Sequence, residues 1–311
     1  MTQGTTTDDT TPAADITERV RERYAEAARI AQQGQRTGDA PCCSAECCSA
    51  AATGDAITDN LYTTDETHDL PEKAVLASLG CGNPTALIDL KEGETVLDLG
   101  SGGGIDVLLS ARRVGPTGFV FGVDMTDEML ALALENRAKA GATNVAFLKG
   151  RIEDVPLPAN SVDVVISNCV INLAADKSLV LRDAFRVLKP GGRFAVSDVV
   201  SDGPVPAELR SNMESWVGCI AGALEKDVYA QLLHEAGFED VSIEITRRYT
   251  AAEVELDTSS LPAGWEAGDG KIAAAFVRAT KPLSAVNAPV VEQELPVAAR
   301  SSGCCGPSCC S

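Results

Sequence analysis

The chain has 311 residues, 45% of them hydrophobic and 23% charged, enough apolar material for one large domain or two modest ones. Its 26 basic against 45 acidic residues leave a net charge of −19. That charge repels phosphate backbones and anionic membrane surfaces, so neither nucleic acid nor membrane is expected as a partner. No run approaches the roughly 18 apolar residues of a membrane span, and the N-terminus lacks the basic-then-apolar pattern of a secretory leader. A cytoplasmic, monomeric protein with reduced thiols is expected.

The first fifteen residues, rich in Thr and Asp, read as disordered. Asp15 can cap a helix over residues 16–31. Residues 32–60 are rich in Gly, Ala and Ser and read as a flexible arm. Pro71 suits the first turn of a short helix over 71–79. A regular alternation then begins. Short β-branched runs at 95–100, 118–124, 144–150, 162–168 and 193–199 are bounded by Gly, Pro or Asp, with helical patterns between them, the last running through DKSLVLRDAFRVLKPGG. Strands that are apolar throughout, alternating with helices, predict a mainly parallel α/β sheet covered on both faces. After Val200 the pattern changes to two helices (PVPAELRSNMESWVGCIAGAL, a candidate lid, and KDVYAQLLHEAGF) and two closing strands, VSIEITRRYT and KIAAAFVRATK. This gives a seven-stranded sheet in all.

The turn after the first strand reads Asp98-Leu-Gly100-Ser101-Gly102-Gly-Gly104. Glycines there allow a sharp turn and close approach of a ligand to the amides opening the next helix. A dinucleotide loop would need glycine at 105, where Ile105 stands. The spacing D-x-G-x-G-x-G resembles the first motif of Rossmann-like S-adenosylmethionine methyltransferases. Asp124, with Met125 beside it, ends the second strand, where an acidic side chain can accept hydrogen bonds from a ribose diol. The resemblance places Ile152 and Glu153, in GRIEDVPLP after the third strand, beside the adenine ring, and counts Asn168 at the end of the fourth among the cofactor residues.

Eleven cysteines demand an explanation in a reducing compartment. Two CCxxxCC clusters (Cys42, Cys43, Cys47, Cys48 and Cys304, Cys305, Cys309, Cys310) account for eight of them. Four thiols within seven residues can hold a soft ion, and capture of thiophilic ions by these arms is the expectation. Cys81, Cys169 and Cys219 stand alone. Cys169 lies just past the fourth strand, where ligands of open α/β sheets bind. Cys81 sits between Gly80 and Gly82 on a connection, and Cys219 on the candidate lid. Soft sulfur ligands select soft metal or metalloid centres. Trivalent arsenic forms pyramidal tris-thiolate complexes and keeps a lone pair that can attack a sulfonium methyl without a general base. The two histidines, His68 and His234, read as surface or structural groups, and Trp216 as packing for the lid.

SLGCGNP, SNCVINL and WVGCIAGAL, together with VRERYAEAA, DLGSGGG and GRIEDVPLP, make residues 16–250 similar to arsenite methyltransferases, above all the bacterial form. The resemblance implies that Cys81, Cys169 and Cys219 are the catalytic thiolates and the arsenic ligands. It also implies that S-adenosylmethionine is the methyl donor, that arsenite or its thiol conjugates are the substrate, and that cysteine oxidation returns the product to the trivalent state. Thioredoxin or glutathione would then re-reduce the enzyme. Many members pair a further N-terminal cysteine with the one at the Cys81 position, a role that Cys42, Cys43, Cys47 and Cys48 leave open. The implied division is an N-terminal helix and Cys-rich arm over 1–70, a cofactor-binding domain over 71–203, an arsenic-binding region completing the sheet over 204–282, and a linker with Cys-rich tail over 283–311. Two other readings stand beside it: a C- or O-methyltransferase of the quinone-biosynthesis type, and a non-enzymatic binder of thiophilic metals.

Overall fold

The computed structural model describes residues 13–33, 70–76, 82–206, 222–250 and 271–284. Both CCxxxCC clusters, Cys81, Cys219, His68, Trp216 and most of the candidate lid lie outside them. The chain opens with α1 (Ala13–Gln32), α2 (Glu72–Leu76) and α3 (Pro84–Leu87). There follow β1 (Thr95–Leu99), α4 (Ile105–Val114), β2 (Phe119–Asp124), α5 (Asp127–Ala140), β3 (Val145–Lys149) and β4 (Val162–Asn168). A 3₁₀ turn (Ile171–Leu173) leads into α6 (Lys177–Val187) and β5 (Leu188–Ser201). The last elements are β6 (Leu224–Glu225), α7 (Lys226–Ala236), β7 (Glu239–Tyr249) and β8 (Ile272–Thr280).

The strands form one sheet in the order β3-β2-β1-β4-β5-β8-β7. Pairing is parallel from β3 through β5, and antiparallel where β8 joins β5 and β7 joins β8. Two-residue β6 pairs in parallel with β5 and makes the sheet eight-stranded where seven strands are expected from the sequence. Val, Ile and Leu of β1, β4 and β5 are buried on both faces, one packed against α6 and α7, the other against α4. That two-sided burial is why these strands carry no polar alternation.

Two boundaries differ from the sequence pattern. α1 starts at Ala13, so Asp15 lies within its first turn and not before the helix. α6 stops at Val187, and β5 begins at Leu188 within the LKPGG segment expected to close the helix. Pro190 disfavours a helical Lys189, and Gly191 takes φ 78°, so the backbone extends at once. At the start of α6, Asp176 accepts from the Ser178 and Leu179 N–H groups, a side-chain cap.

Candidate active site

Strand order reverses direction between β1 and β4, and a half-open cavity lies beyond their carboxyl ends. The glycine loop forms its floor. Gly100 has φ 71°, and its N–H donates to Val123 O at 2.8 Å. A side chain at Gly100 would run into Val170, so the loop needs glycine for conformation and for space alike. Gly104, at φ 88°, precedes α4 and turns the chain from loop to helix.

Of the residues singled out from the sequence for cofactor binding, Gly100, Asp124, Met125, Ile152 and Glu153 line this cavity. Asp98, Ser101, Gly102 and Gly104 are not among its lining residues. Asp124 Oδ2 accepts from Gly102 N–H at 2.9 Å and Oδ1 from Thr126 N–H at 2.8 Å, so its carboxylate also braces the loop. Burial raises its pKa against the pull of those donors. Asp98 is driven well above the usual carboxylate range, by burial first and then by Asp106 and Asp124. The buried Ser101 hydroxyl has no hydrogen-bond partner among the described residues. A glycine cradle and an acidic residue at the end of β2, both at the cavity, fit a polar nucleoside cofactor such as S-adenosylmethionine.

Asn168 lies elsewhere. Its amide accepts from Gly82 N–H at 3.2 Å and donates to Gly82 O at 2.6 Å and to Asp106 at 3.2 Å. Cys169 follows, 1% exposed, in the left-handed region at φ 59°, with its N–H donating to Ser197 O at 2.8 Å. A non-glycine residue held there is strained, and such strain gathers at functional positions. Its sulfur is disulfide-bonded, with the partner outside the described residues. Among the described residues no group of three His, Cys, Asp or Glu side chains could hold a metal ion. Cys169 is the only described member of the expected trio, so the three sulfurs are neither brought together nor separated here.

The helix expected over 16–31 forms as α1, but its place at the cavity was not expected from the sequence. Thr17, Val20 and Tyr24 form one wall of the cavity. Val20 and Tyr24, four apart, share a helix face, and that spacing was the available signal. The helix is held down by Ala27, Ala28 and Ala31 packed on Met129 and Leu132 of α5, and by an Arg29–Glu128 ion pair of 2.7 Å. Val170 and Leu173, after Cys169, close the opposite side. His234 Nδ1 lies 3.2 Å from Phe238 O at the end of α7, a structural place as expected.

Below Cys169, Asp198 of β5 is buried and receives the Val199 N–H at 3.0 Å and the Tyr229 hydroxyl at 3.4 Å. Burial pushes its carboxyl up to about 7, against the lowering pull of Val199 N–H, Lys177, Tyr229 and Asn172. A native group with a raised pKa binds its proton over a range in which the unfolded chain has lost it. Its stabilising contribution is therefore complete below the ordinary carboxylate value and disappears as pH rises through about 7. Relative to Asp198→Asn, wild type is expected to lose stability from pH 4 to 7, by roughly 1.4 kcal/mol per pH unit at most. Urea midpoints of the two proteins across that range measure the difference, and parallel profiles would refute it.

Residues 90–237 match the family model described as a methyltransferase domain. An arsenite methyltransferase from Halobacterium salinarum is 48% identical over 236 residues, 73% of this chain and 58% of the relative. A ubiquinone/menaquinone biosynthesis C-methyltransferase from Pasteurella multocida is 32% identical over 174 residues, 49% of this chain and 65% of that one. The crystal structure of an arsenic(III) S-adenosylmethionine methyltransferase from Chlamydomonas reinhardtii is 33% identical, covers 72% of both chains and superposes with a TM-score of 0.56. The chain spans about half the length of the curated arsenite methyltransferases it matches, from 46% to 58%. No helix among the described residues is long and apolar enough to cross a membrane. On the glycine loop, the switch-point cavity and these likenesses together, the chain belongs to the arsenite methyltransferase family of S-adenosylmethionine-dependent enzymes.

Proposed function

We propose that the chain methylates trivalent arsenic, taken up as arsenite or a thiol conjugate, with Cys81, Cys169 and Cys219 as its thiolate ligands. The observation that carries this reading is the neighbourhood of Cys169. Gly82, one residue past Cys81, is gripped through both backbone polar groups by Asn168. Gly222, three residues past Cys219, packs so closely on the Asn172 carbonyl that it has no room for a side chain. Gly82 and Gly222, the described residues nearest in the chain to Cys81 and Cys219, are thus both anchored on residues that flank Cys169.

Gly100, Asp124, Met125, Ile152 and Glu153 would hold S-adenosylmethionine, which supplies a methyl on a positively charged sulfur. The arsenic lone pair forms the As–C bond as the C–S bond breaks, and arsenic rises from the trivalent to the pentavalent state. Two cysteine thiolates then give up an electron pair as they join in a disulfide, which returns arsenic to the trivalent state. A thioredoxin- or glutathione-type dithiol or thiol reduces that disulfide for the next turn. No proton leaves the nucleophile, so the site needs no general base. The chain's role is to orient arsenic and exclude water, which α1 and the 170–174 turn do by walling the cavity. Free thiolates require a reducing compartment, in keeping with a cytoplasmic enzyme.

The test is incubation of the purified protein with arsenite, S-adenosylmethionine and a thiol reductant, with arsenic species separated by chromatography. Methylated arsenicals are expected. Consumption of the methyl donor only when a quinol-type acceptor is supplied would overturn the reading in favour of organic C-methylation.

A further inference from the structure

The connection from β3 to β4 supplies the cavity wall through Gly150, Ile152 and Glu153, and α6 grips this loop from behind. Asp183 Oδ2 accepts the Val155 N–H at 2.7 Å. Arg186 donates to Val155 O at 2.9 Å and to Leu157 O at 2.8 Å. The two side chains pair with each other at 2.6 and 3.0 Å. One ion pair thus holds the donor and the acceptor of the same residue, Val155, which is 2% exposed. Within the loop itself the backbone bonds are Asp154 N–H to Arg151 O and Leu157 N–H to Val155 O. These close local turns. Gly150 N–H, donating to Asp124 O at 3.1 Å, ties the start of the connection to β2, and Ile152, Val155 and Leu157 pack on the core. The Asp183–Arg186 pair supplies the side-chain hydrogen bonds to the backbone of its far half.

We propose that Asp183 and Arg186 are positioning residues for the methyl donor, fixing the 151–157 loop so that Ile152 and Glu153 stand ready at the cavity. Neither side chain is among those lining the cavity, so they act through the backbone of Val155 and Leu157. Arginine is needed because its planar fork can meet a carboxylate on one side and two carbonyls on the other, which a lysine ammonium cannot match in the same plane. A loop held in place before the ligand arrives spares the ordering cost at binding. The proposal rests on the cofactor half of the function above and not on arsenic.

The test uses the full chain and S-adenosylhomocysteine as the probe, so that failure of the arsenic reading leaves it intact. Asp183→Asn/Arg186→Met removes the pair without leaving one charge alone. Its Kd for S-adenosylhomocysteine by calorimetry is expected to rise roughly tenfold, about 1.4 kcal/mol. In the ligand-free protein the amides of Val155 and Leu157 should exchange at least about tenfold faster, while those of β1 and β4 keep their rates. With the donor saturating, kcat should stay within about twofold, the loss falling on KM. Arg186→Lys should lie between the double variant and wild type, and it decides the matter by the same readouts if the double variant does not fold. A Kd within twofold of wild type, or faster exchange spread evenly over the sheet, would overturn the proposal and leave the pair a plain structural brace.

Discussion

Cys169→Ser is expected to abolish arsenite methylation, by roughly a thousandfold or more, because a protonated hydroxyl is a poor ligand for a soft metalloid centre. The same change should leave S-adenosylhomocysteine affinity within about threefold, because Cys169 is not among the residues lining the cavity. Serine fits the buried site with little change in volume but cannot form the disulfide that Cys169 makes, so the variant is compared with wild type in the reduced protein, the state in which Cys169 can ligate arsenic. The left-handed φ of 59° and the N–H bond to Ser197 O concern the backbone and survive the exchange. A folded variant that binds the product analogue but makes no methylarsenical is therefore the expected result. Arsenic turnover within tenfold of wild type would remove Cys169 from the ligand set and the three-thiolate mechanism with it. The variant also separates the competing enzyme readings, since methylation of a quinol-type acceptor should not depend on this sulfur.

How far the sequence alone carries depends on the range over which each feature is determined. The parallel strands were legible because burial on both faces fills most of β1, β4 and β5 with apolar residues, many of them β-branched. That Gly100 and Asp124 line a cavity was legible because a backbone conformation and a strand end at the switch point each leave a local mark. The end of α6 was not. LKPGG contains helix-stopping residues, but the pattern cannot tell a helix that closes on them from a strand that already includes them, as β5 does. Asn168 was read as a cofactor residue from its place at a strand end. Its amide instead holds Gly82, 86 residues away in the chain, a pairing that only the packing of α3 and α4 against the sheet decides. The wall made by Thr17, Val20 and Tyr24 is likewise a matter of where α1 docks.

Lys281→Met is expected to destabilise the fold by about 3 kcal/mol, the sum of several polar groups left without partners in the interior. Lys281 follows β8 and is buried, its Nζ donating at 2.8 Å each to Asn160 Oδ1, Phe185 O and Leu188 O. Phe185 O belongs to the last turn of α6 and Leu188 O lies just beyond it, where helical carbonyls lack partners of their own and a cation is favoured. The Phe185 ring also lies beneath the ammonium, 4.5 Å from its centroid. Two effects oppose each other. Burial lowers the pKa of the amine, so removing the charge relieves a desolvation cost. Against this, methionine keeps the stem's volume but leaves two carbonyls and an amide oxygen unsatisfied. Even a neutral amine would still donate two of its bonds, so the loss of donors outweighs the relief of charge. Thermal melts should then show a Tm lower by roughly 6 to 12 °C, at about 2–4 °C per kcal/mol for a domain of this size. A drop of less than 2 °C would mean that relief of the buried charge cancels the lost bonds. In that case the end of β8 would be held chiefly by the backbone pairs of Lys281 with Gly191 and Gly192 of β5, and the side-chain link to α6 would add little.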